Sequence, residues 1–406
     1  MGGQQFCEGG VVVDCRSLDS ILSFDRERGV IEVEAGIQWP ELVDFLQRSP
    51  WSIVQKQTGA DRLTLGGAVA ANVHGRGLTL RPLVQDIEAL TIVDAQGEFI
   101  ECSRMKNALL FRHVVGGYGM FGIIYSVRLR LTARQLLRRT VRHIRAGDLI
   151  SSFEQLISAG FLYGDWQFAI DDKSDDFLDL GLLSAYEPVA ASDAEAGNVR
   201  KLTDADWRHL LLLAHTDKTR AFSEYSRHYL RTHGQLYRSD RHQLRPYLEG
   251  YHAAIDSETG AKVCGSEMIT ELFVPRASLG DFLAAARVHL RASHANVIYG
   301  TVRLIECDTE TALAWARDRW ACIIFNLHVD HEPSAIARAQ DAFCGLIDCA
   351  LAFGGSYYLT YHRWATRPQV LAAHPALPYV FAAKQRVDAA ETFQSDWYRH
   401  HRDLIA

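Results

Sequence analysis

Two glycine-rich runs between residues 54 and 132 constrain this chain more than any other feature. The first contains Gly66 and Gly67 in Thr-Leu-Gly-Gly-Ala-Val-Ala-Ala-Asn-Val-His-Gly, and the second contains Gly117, Gly119 and Gly122 in Gly-Gly-Tyr-Gly-Met-Phe-Gly-Ile-Ile. Glycine lacks the Cβ atom that keeps a ligand away from the backbone. Such runs are typical of backbone that packs against a flat, phosphate-bearing ligand, with N–H groups directed at anionic oxygens.

The second run has the Gly-x-Gly-x-x-Gly spacing of dinucleotide-binding Rossmann units, but its flanks are in the opposite order. A Rossmann fingerprint follows a strand and opens a helix. Here residues 107–115 predict a helix before the glycines, and residues 123–131 alternate apolar and polar side chains after them, as a strand does. We therefore reject a Rossmann nucleotide site.

Composition bounds the class of protein. The 406 residues are 48% hydrophobic and suffice for a large two-domain enzyme, while a net charge of −6 offers no electrostatic case for nucleic acid. The eight Cys contain no Cys-x-x-Cys pair, so free thiols are expected rather than a zinc or redox site. No signal peptide is visible and no apolar run approaches the ~20 residues of a membrane span, so we expect a cytoplasmic protein whose membrane association is at most peripheral.

Patterning predicts how the remaining elements are organised. Strands are expected at residues 10–14 and 30–34, and again at 268–274, 297–305 and 322–329, where they alternate with helices. An antiparallel sheet covered by helices on one face is the natural architecture for such an order. The tail, residues 375–406, is predicted to be helical.

Taken together, the motifs resemble a family of flavoproteins. They are Thr64-x-Gly66-Gly67-Ala68-x-Ala70-x-Asn72-x-His74-Gly75 and Gly116-Gly117-x-Gly119-x-x-Gly122-Ile123. They are similar to the FAD-binding domain of the vanillyl-alcohol oxidase / p-cresol methylhydroxylase (PCMH) family, and within it to the sugar and polyol oxidases (alditol oxidase, aldonolactone oxidase, decaprenylphosphoryl-ribose oxidase). The resemblance implies an α+β, two-domain, PCMH-type fold. Residues 1–134 would bind FAD, residues 135–355 would form a substrate cap domain with an antiparallel sheet, and residues 356–406 would return to the FAD domain.

The resemblance also implies which residues contact FAD, with His74 beside the flavin. The predicted cofactor-binding residues are Gly2, Gly3, Gln4, Gly59, Thr64, Gly66, Gly67, Ala71, Asn72, His74, Gly75, Gly117, Gly119, Gly122, Ile123 and Tyr358. In the family, two strands and a loop of the form Arg-x-x-x-x-His-Ser precede this region and bind the pyrophosphate. That loop would lie upstream of Met1, so we expect a truncated start or a member that has lost it. Whether FAD is covalently bound stays open.

Glu271 and Arg303 are the first candidates for chemistry. Alternation places Glu271 and Phe273 on one face of a strand and Leu272 and Val274 on the other. A carboxylate on an apolar strand needs a partner, and Arg303 is the expected counter-charge. The alternative is a purely structural ion pair. In the resembling oxidases the matching strand faces the substrate.

Asn326, His328 and Asp330 alternate along a second strand and therefore share a face. We expect Asn326 and His328 to line the substrate cavity. A metal site is not predicted, because one strand triplet lacks a second cluster of ligands.

Tyr361 and His362 stand where the resembling sugar oxidases place a Lys near the flavin. His362 is the predicted base for a hydroxyl proton, since the ordinary pKa of histidine lies near neutral pH, and Tyr361 and then His74 are the alternatives. We expect Glu271, Arg303 and His362 to converge above the flavin.

The function implied by the resemblance is oxidation of a hydroxyl-bearing carbon by hydride transfer to flavin N5. The substrate would be a sugar, polyol, lactone or sugar-lipid, with O2 or another acceptor reoxidising the flavin. Two alternatives stay open: a flavin-dependent reductase of an alkene, as in sterol-reducing relatives, and a truncated, non-catalytic chain that binds FAD poorly.

Overall fold

The computed structural model describes residues 5–190, 200–244 and 248–406. The predicted cofactor contacts Gly2, Gly3 and Gln4 lie outside these ranges. Within them, no helix combines the length and the apolar character that crossing a bilayer requires.

The described residues form fifteen strands and twelve α-helices. The strands are β1 (Ile21–Asp25), β2 (Val30–Glu34), β3 (Trp51–Ser52), β4 (Ile87–Val93), β5 (Phe99–Ser103), β6 (Ile123–Arg130), β7 (Thr132–Ala133), β8 (Leu136–Arg145), β9 (Tyr163–Phe168), β10 (Leu180–Val189), β11 (Leu236–Arg238), β12 (Gly265–Pro275), β13 (Val297–Ile305), β14 (Trp320–Asp330) and β15 (Ser356–Tyr357). The helices are α1 (Trp39–Leu46), α2 (Leu65–Ala70), α3 (Ala108–Val114), α4 (Leu149–Ser158), α5 (Asp204–Thr216), α6 (Lys218–Leu230), α7 (Tyr251–Thr259), α8 (Leu279–Ala292), α9 (Pro333–Ala352), α10 (Arg367–Ala373), α11 (Leu377–Val387) and α12 (Asp396–Ile405).

The N-terminal sheet has five antiparallel strands in the order β1-β2-β6-β4-β5. The second glycine run connects α3 to β6, so the helix comes before the glycines and the strand after them, as the patterning predicted. A Cβ atom at Gly117 would lie 2.0 Å from the carbonyl oxygen of His113, which explains why glycine stands where α3 ends. The strand predicted at residues 10–14 is absent from this region, where Val11, Val12 and Val13 are exposed outside any sheet.

The second sheet has eight antiparallel strands in the order β11-β8-β10-β9-β13-β14-β12-β15. Leu272 and Val274 on β12 pack into the main core together with Phe282 of α8 and Phe343 of α9, so helices cover this face as predicted. Phe273 lies in a separate apolar cluster on the other face, which is the alternation that the sequence indicated.

The C-terminal helix packs against the second glycine run. The ring of Trp397 in α12 stacks on Tyr118, with centroids 4.4 Å apart, and its Nε1 donates to the carbonyl of Leu359 at 2.9 Å. The tail is helical, as predicted. The division into domains at residues 134 and 355 stays a prediction.

Candidate active site

The first glycine run builds a short helix and then a sharp loop that ends in a buried histidine. Thr64 caps α2 by accepting a hydrogen bond from Gly67 N at 3.2 Å. Asn72 follows in the left-handed region with φ 45°, and its side chain donates to Asp308 at 3.0 Å. This turn directs His74, which is only 4% exposed, towards the second sheet.

His74 forms a buried pair with Glu271. The two side chains are 2.8 Å apart between Nε2 and Oε2, and the His74 Nδ1 lies 3.0 Å from the carbonyl oxygen of Gly75. That carbonyl can only accept, so Nδ1 carries a hydrogen in this arrangement. The second oxygen of Glu271 accepts from the hydroxyl of Tyr361 at 2.7 Å. A continuous chain of hydrogen bonds therefore runs from Tyr361 through Glu271 to His74.

The protonation of this chain follows from its surroundings. Burial by itself raises the pKa of Glu271, but the charge and hydrogen bond of His74, the hydroxyl of Tyr361 and the charge of Arg303 together hold it below its ordinary value. Burial, and then the neighbouring Glu271, raise the pKa of Tyr361 and of Cys322 well above their ordinary values. Glu271 is therefore a carboxylate at neutral pH, while Tyr361 and Cys322 keep their protons.

Aromatic rings enclose the chain on the side of the second sheet. Trp315 stacks on Phe273 with centroids 4.8 Å apart and contacts the ring of His74 at 5.4 Å. Tyr358 packs against Trp315 at 5.1 Å and donates its hydroxyl hydrogen to the carbonyl of Ala71 at 2.6 Å. Since low polarity strengthens electrostatic interactions, this enclosure makes the charge of Glu271 more effective at short range.

The predicted partner of Glu271 needs correction. Arg303 is buried, and it contributes to the low pKa of Glu271 through its charge, but the hydrogen-bonded partners of the carboxylate are His74 and Tyr361. The Nε of Arg303 is buried without a hydrogen-bond partner. Alternation along β12 identified the face that carries Glu271. It could not indicate that the loop carrying His74 reaches that face.

The predicted convergence on the flavin is wrong for His362. Its Nε2 lies 3.3 Å from Thr270 Oγ1, and its ring packs on Phe343 of α9 at 4.7 Å. Thr270 and Glu271 are neighbours on β12, so their side chains point to opposite faces of the sheet. Burial, reinforced by His401, lowers the pKa of His362 to about 4. His362 therefore belongs to the helix-covered side, and Tyr361 reaches the candidate site instead.

The predicted substrate residues lie on the same face as Glu271, further along the sheet. In the β12–β14 ladder Asn326 is opposite Ile269, and His328 is opposite Glu267. The Oδ1 of Asn326 is buried without a hydrogen-bond partner. His328 contacts Glu267 rather than the chain from Tyr361 to His74.

The glycines divide into two groups when a Cβ atom is placed on each. At Gly66, Gly75 and Gly122 it would lie 2.9 Å or less from other protein atoms, so these glycines allow close packing of the chain on itself. At Gly59 and Gly119, which have φ of +89° and +77°, nothing lies within 4 Å and the backbone is exposed. Only the second group leaves space for a ligand.

The expectation that the first run directs its N–H groups at anionic oxygens is also corrected. The N–H groups of Leu65 and Gly66 donate to the carbonyls of Ile37 and Ala35, and those of residues 71–73 donate to carbonyls within residues 67–69. Packing of α2 against the turn after β2 uses the first two donors, and the C-terminal end of α2 uses the other three.

Ala71, Tyr358 and Ile123 are further predicted cofactor contacts. Ala71 and Tyr358 join through their hydrogen bond, and Ile123 begins β6 directly after the second run. Gln57, two residues before Gly59, has a buried Oε1 with no hydrogen-bond partner. An unpaired acceptor beside open backbone fits a flat heterocycle that carries N–H groups, and FAD contains one.

Sequence reasoning missed Trp315, Cys322 and Asp308. Cys322 lies opposite Phe273 on β14, with its Sγ 3.7 Å from Glu271 Oε2, and only the strand register could have indicated this position. Trp315 and Asp308 occupy the connection between β13 and β14, which has no periodic pattern.

Comparison with known proteins shows what the N-terminal part of the chain is similar to. Residues 1–103 match the family described as FAD binding domain. The resemblance to FAD-linked oxidases with a PCMH-type domain is thereby confirmed, and FAD is the cofactor of this class.

Individual relatives within the class share about a third of this chain. An oxidoreductase of the fasciation locus of Rhodococcoides fascians is 32% identical over 136 residues, which cover 32% of this chain and 30% of the relative. Cytokinin dehydrogenase 2 of Arabidopsis thaliana is 31% identical over 134 residues (32% and 26%), and L-gulonolactone oxidase of Mus musculus is 28% identical over 124 residues (30% and 28%). The match thus spans less than a third of the length of these curated relatives.

Proposed function

We propose that the protein is an FAD-dependent enzyme that oxidises a hydroxyl-bearing carbon of a sugar, polyol, lactone or sugar-lipid. The observation that carries the proposal is the buried chain of hydrogen bonds from Tyr361 through Glu271 to His74. Oxidation of an alcohol releases a proton from the hydroxyl group and a hydride from the carbon. A buried carboxylate linked to a more accessible hydroxyl is suited to take that proton.

Tyr361 is the more exposed end of the chain, since its side chain is partly exposed whereas His74 and Glu271 are buried, and we assign the substrate to that end. Its hydroxyl hydrogen is donated to Glu271, so the lone pairs of its oxygen face away and can accept a hydrogen bond from a substrate hydroxyl. Tyr361 would pass its own proton to Glu271 while taking the proton of the substrate. His74 would hold the carboxylate in place and offset its charge before the transfer.

FAD, when bound, would accept the hydride that leaves the substrate carbon. The exposed backbone at Gly59 and Gly119 and the free acceptor of Gln57 would hold it, and His74 would stand beside it. Arg303 would keep the surroundings of Glu271 positive, so that the carboxylate stays ionised until a substrate is present.

The relatives leave the substrate open, since their names refer both to cytokinin and to L-gulonolactone. An anaerobic stopped-flow experiment on flavin-saturated protein should therefore compare polyols, aldonolactones and a cytokinin. We expect a hydroxylated compound to bleach the flavin absorbance. Bleaching by the cytokinin alone would contradict the hydroxyl assignment, and reoxidation of chemically reduced flavin by a conjugated alkene, without bleaching by any alcohol, would favour the reductase alternative.

The role of Tyr361 can be tested in the same instrument. Tyr361→Phe should slow flavin bleaching about 10²–10⁴-fold, because the proton loses its first acceptor. Tyr379→Phe is a matched control, as that ring is 77% exposed on α11. A bleaching rate of Tyr361→Phe equal to the control would overturn the relay. Protein that retains no flavin when FAD is supplied in excess would instead support the non-catalytic alternative.

A further inference from the structure

A second cluster of titratable side chains lies at the far end of the face that carries Glu271. Glu267 on β12 is surrounded by His215 at the end of α5, His328 on β14 and His252 on α7. Glu267 lies four positions before Glu271 on β12, which corresponds to a distance on the order of 13 Å along the strand. The chain from Tyr361 to His74 uses none of these groups.

We propose that His215, Glu267 and His328 form a binding site for a divalent transition metal, with Zn²⁺ the best match. Their ligand atoms all lie within 4.8 Å of one another. Two imidazole nitrogens and one carboxylate oxygen are a common protein ligand set for zinc, which leaves a fourth position for water or a ligand. The inference is independent of the proposed oxidation and of FAD.

Two of the three distances between the proposed ligand atoms fit ligands around a shared centre. His215 Nε2 and His328 Nδ1 each lie 3.3 Å from Oε1 of Glu267. Atoms that bind one Zn²⁺ tetrahedrally at about 2.0–2.2 Å are about 3.3–3.6 Å apart. His215 Nε2 is buried and makes no hydrogen bond of acceptable geometry, although Oε1 is this close. A buried ring nitrogen that lies close to the carboxylate oxygen without a hydrogen bond to it is available to bind a metal.

Side chains next to the proposed ligands contact and orient them, as they do in known metal sites. The other ring nitrogen of His328, Nε2, lies 3.3 Å from Asp330 Oδ1. Metal-binding histidines commonly donate their second N–H to a carboxylate, which orients the ring. The second oxygen of Glu267 accepts from Tyr251 at 2.7 Å and contacts His252, so Oε1, which His328 Nδ1 contacts at 3.3 Å, is the oxygen that faces both proposed histidine ligands.

The sequence predicted no metal because a single strand triplet lacks a second group of ligands, and the fold supplies that group. His328 and Asp330 alone form a strand triplet with Asn326, and the missing ligands come from elements that only the fold brings near. His215 lies 113 residues before His328 in the chain and belongs to α5.

Cobalt is the probe that tests the proposal, because tetrahedral Co²⁺ absorbs visible light. The full chain, loaded with FAD and treated with a chelator, is titrated with Co²⁺, and the flavin absorbance is subtracted. We expect one Co²⁺ per chain, displaced by one equivalent of Zn²⁺. His215→Ala and His328→Ala should abolish this spectrum. His209→Ala, on the same helix but 46% exposed in a pair with Glu224, should leave it unchanged.

Two further variants keep the result decisive if the alanine proteins fold poorly. Asp330→Asn, at a side chain that is 53% exposed, should weaken binding about 10–100-fold without removing a ligand. Cys322→Ser should have no effect, which separates this site from the buried group of His74, Glu271 and Cys322. The proposal is overturned if folded wild-type protein binds no stoichiometric Co²⁺, if the affinity of His215→Ala equals that of His209→Ala, or if Cys322→Ser removes the spectrum.

Discussion

The side chain of Asn72 donates a hydrogen bond to Asp308 at 3.0 Å, although 236 positions separate the two residues in the chain. Asp308 also accepts from the backbone N–H of Glu310 at 2.8 Å, and Trp315 Nε1 donates to the carbonyl of Asn72 at 3.1 Å. The connection between β13 and β14 therefore holds the loop that carries His74. This clamp acts together with the hydrogen bond that Val84 N donates to Asn72 Oδ1 at 2.9 Å, and both hold the loop from which His74 reaches a strand of the other sheet.

The clamp predicts a loss of stability when its acceptor is removed. Asp308→Ala leaves the buried Nδ2 of Asn72 without an acceptor, which should lower the free energy of unfolding by about 1–3 kcal/mol. Urea unfolding of flavin-saturated protein measures this. Asp318→Ala, an exposed neighbour in the same connection, is the control. Equal unfolding midpoints for the two variants would contradict the clamp.

Glu271→Gln is expected to remove the proton acceptor while it keeps the shape of the side chain. Flavin reduction by the preferred alcohol should slow about 10²–10⁴-fold, and bound FAD should stay at the wild-type level. Glu332→Gln, at an exposed position before α9, controls for the amide change. An unaltered reduction rate in Glu271→Gln would move the base elsewhere.

His362→Ala should leave the rate of flavin reduction close to that of the parent protein, because the histidine lies on the other face of β12. The variant is expected to be less stable, since Phe343 and Trp364 lose a packing partner. Stopped-flow reduction at saturating FAD checks the first point and urea unfolding checks the second. A rate loss of the size expected for Glu271→Gln would restore His362 as the base.

Buried histidines should make the protein sensitive to acid. Burial and His401 lower the pKa of His362 from 6.5 to about 4, so the unfolded chain binds a proton that the folded chain rejects between these values. The contribution of neutral His362 to the free energy of unfolding is complete above about pH 6.5 and is lost as pH falls towards 4. The loss amounts to about 3 kcal/mol. Urea unfolding at several pH values should show this fall, and His362→Phe should reduce it. If the free energy of unfolding falls with pH equally steeply in His362→Phe and in the exposed control His331→Asn, the role of His362 in acid sensitivity is refuted.

Two glycines of the second run should respond differently to alanine. Gly117→Ala places a Cβ atom 2.0 Å from a backbone carbonyl, so either the end of α3 must move or the protein unfolds more easily. Gly119→Ala meets no atom within 4 Å and costs only the strain of a positive φ, about 1–2 kcal/mol. Thermal unfolding should therefore rank Gly117→Ala below Gly119→Ala. The reverse order would show that the left-handed conformation matters more than the close approach.

The wrong predictions about the partners of Glu271 have a shared physical cause. Periodicity correctly gave β12 two faces and placed Glu271 with Phe273, because alternation is a local property of a strand. It could not decide whether Arg303, His362 or His74 meets the carboxylate, since each partner comes from a separate element. Tyr361 contacts Glu271, whereas its neighbour His362 lies on the other face, because in a segment that leaves a sheet one position decides which face a side chain reaches.

Local patterns in the sequence identified the class of protein, because glycines and small residues at fixed spacing record where backbone must pack closely. They also predicted β12, β13 and β14 of the second sheet, and the order of helix, glycines and strand that excludes a Rossmann site. The partners of Glu271 and the cluster around Glu267 became visible in the three-dimensional fold alone. Those contacts join residues up to 197 positions apart, and their geometry depends on strand register and loop path, which no short pattern encodes.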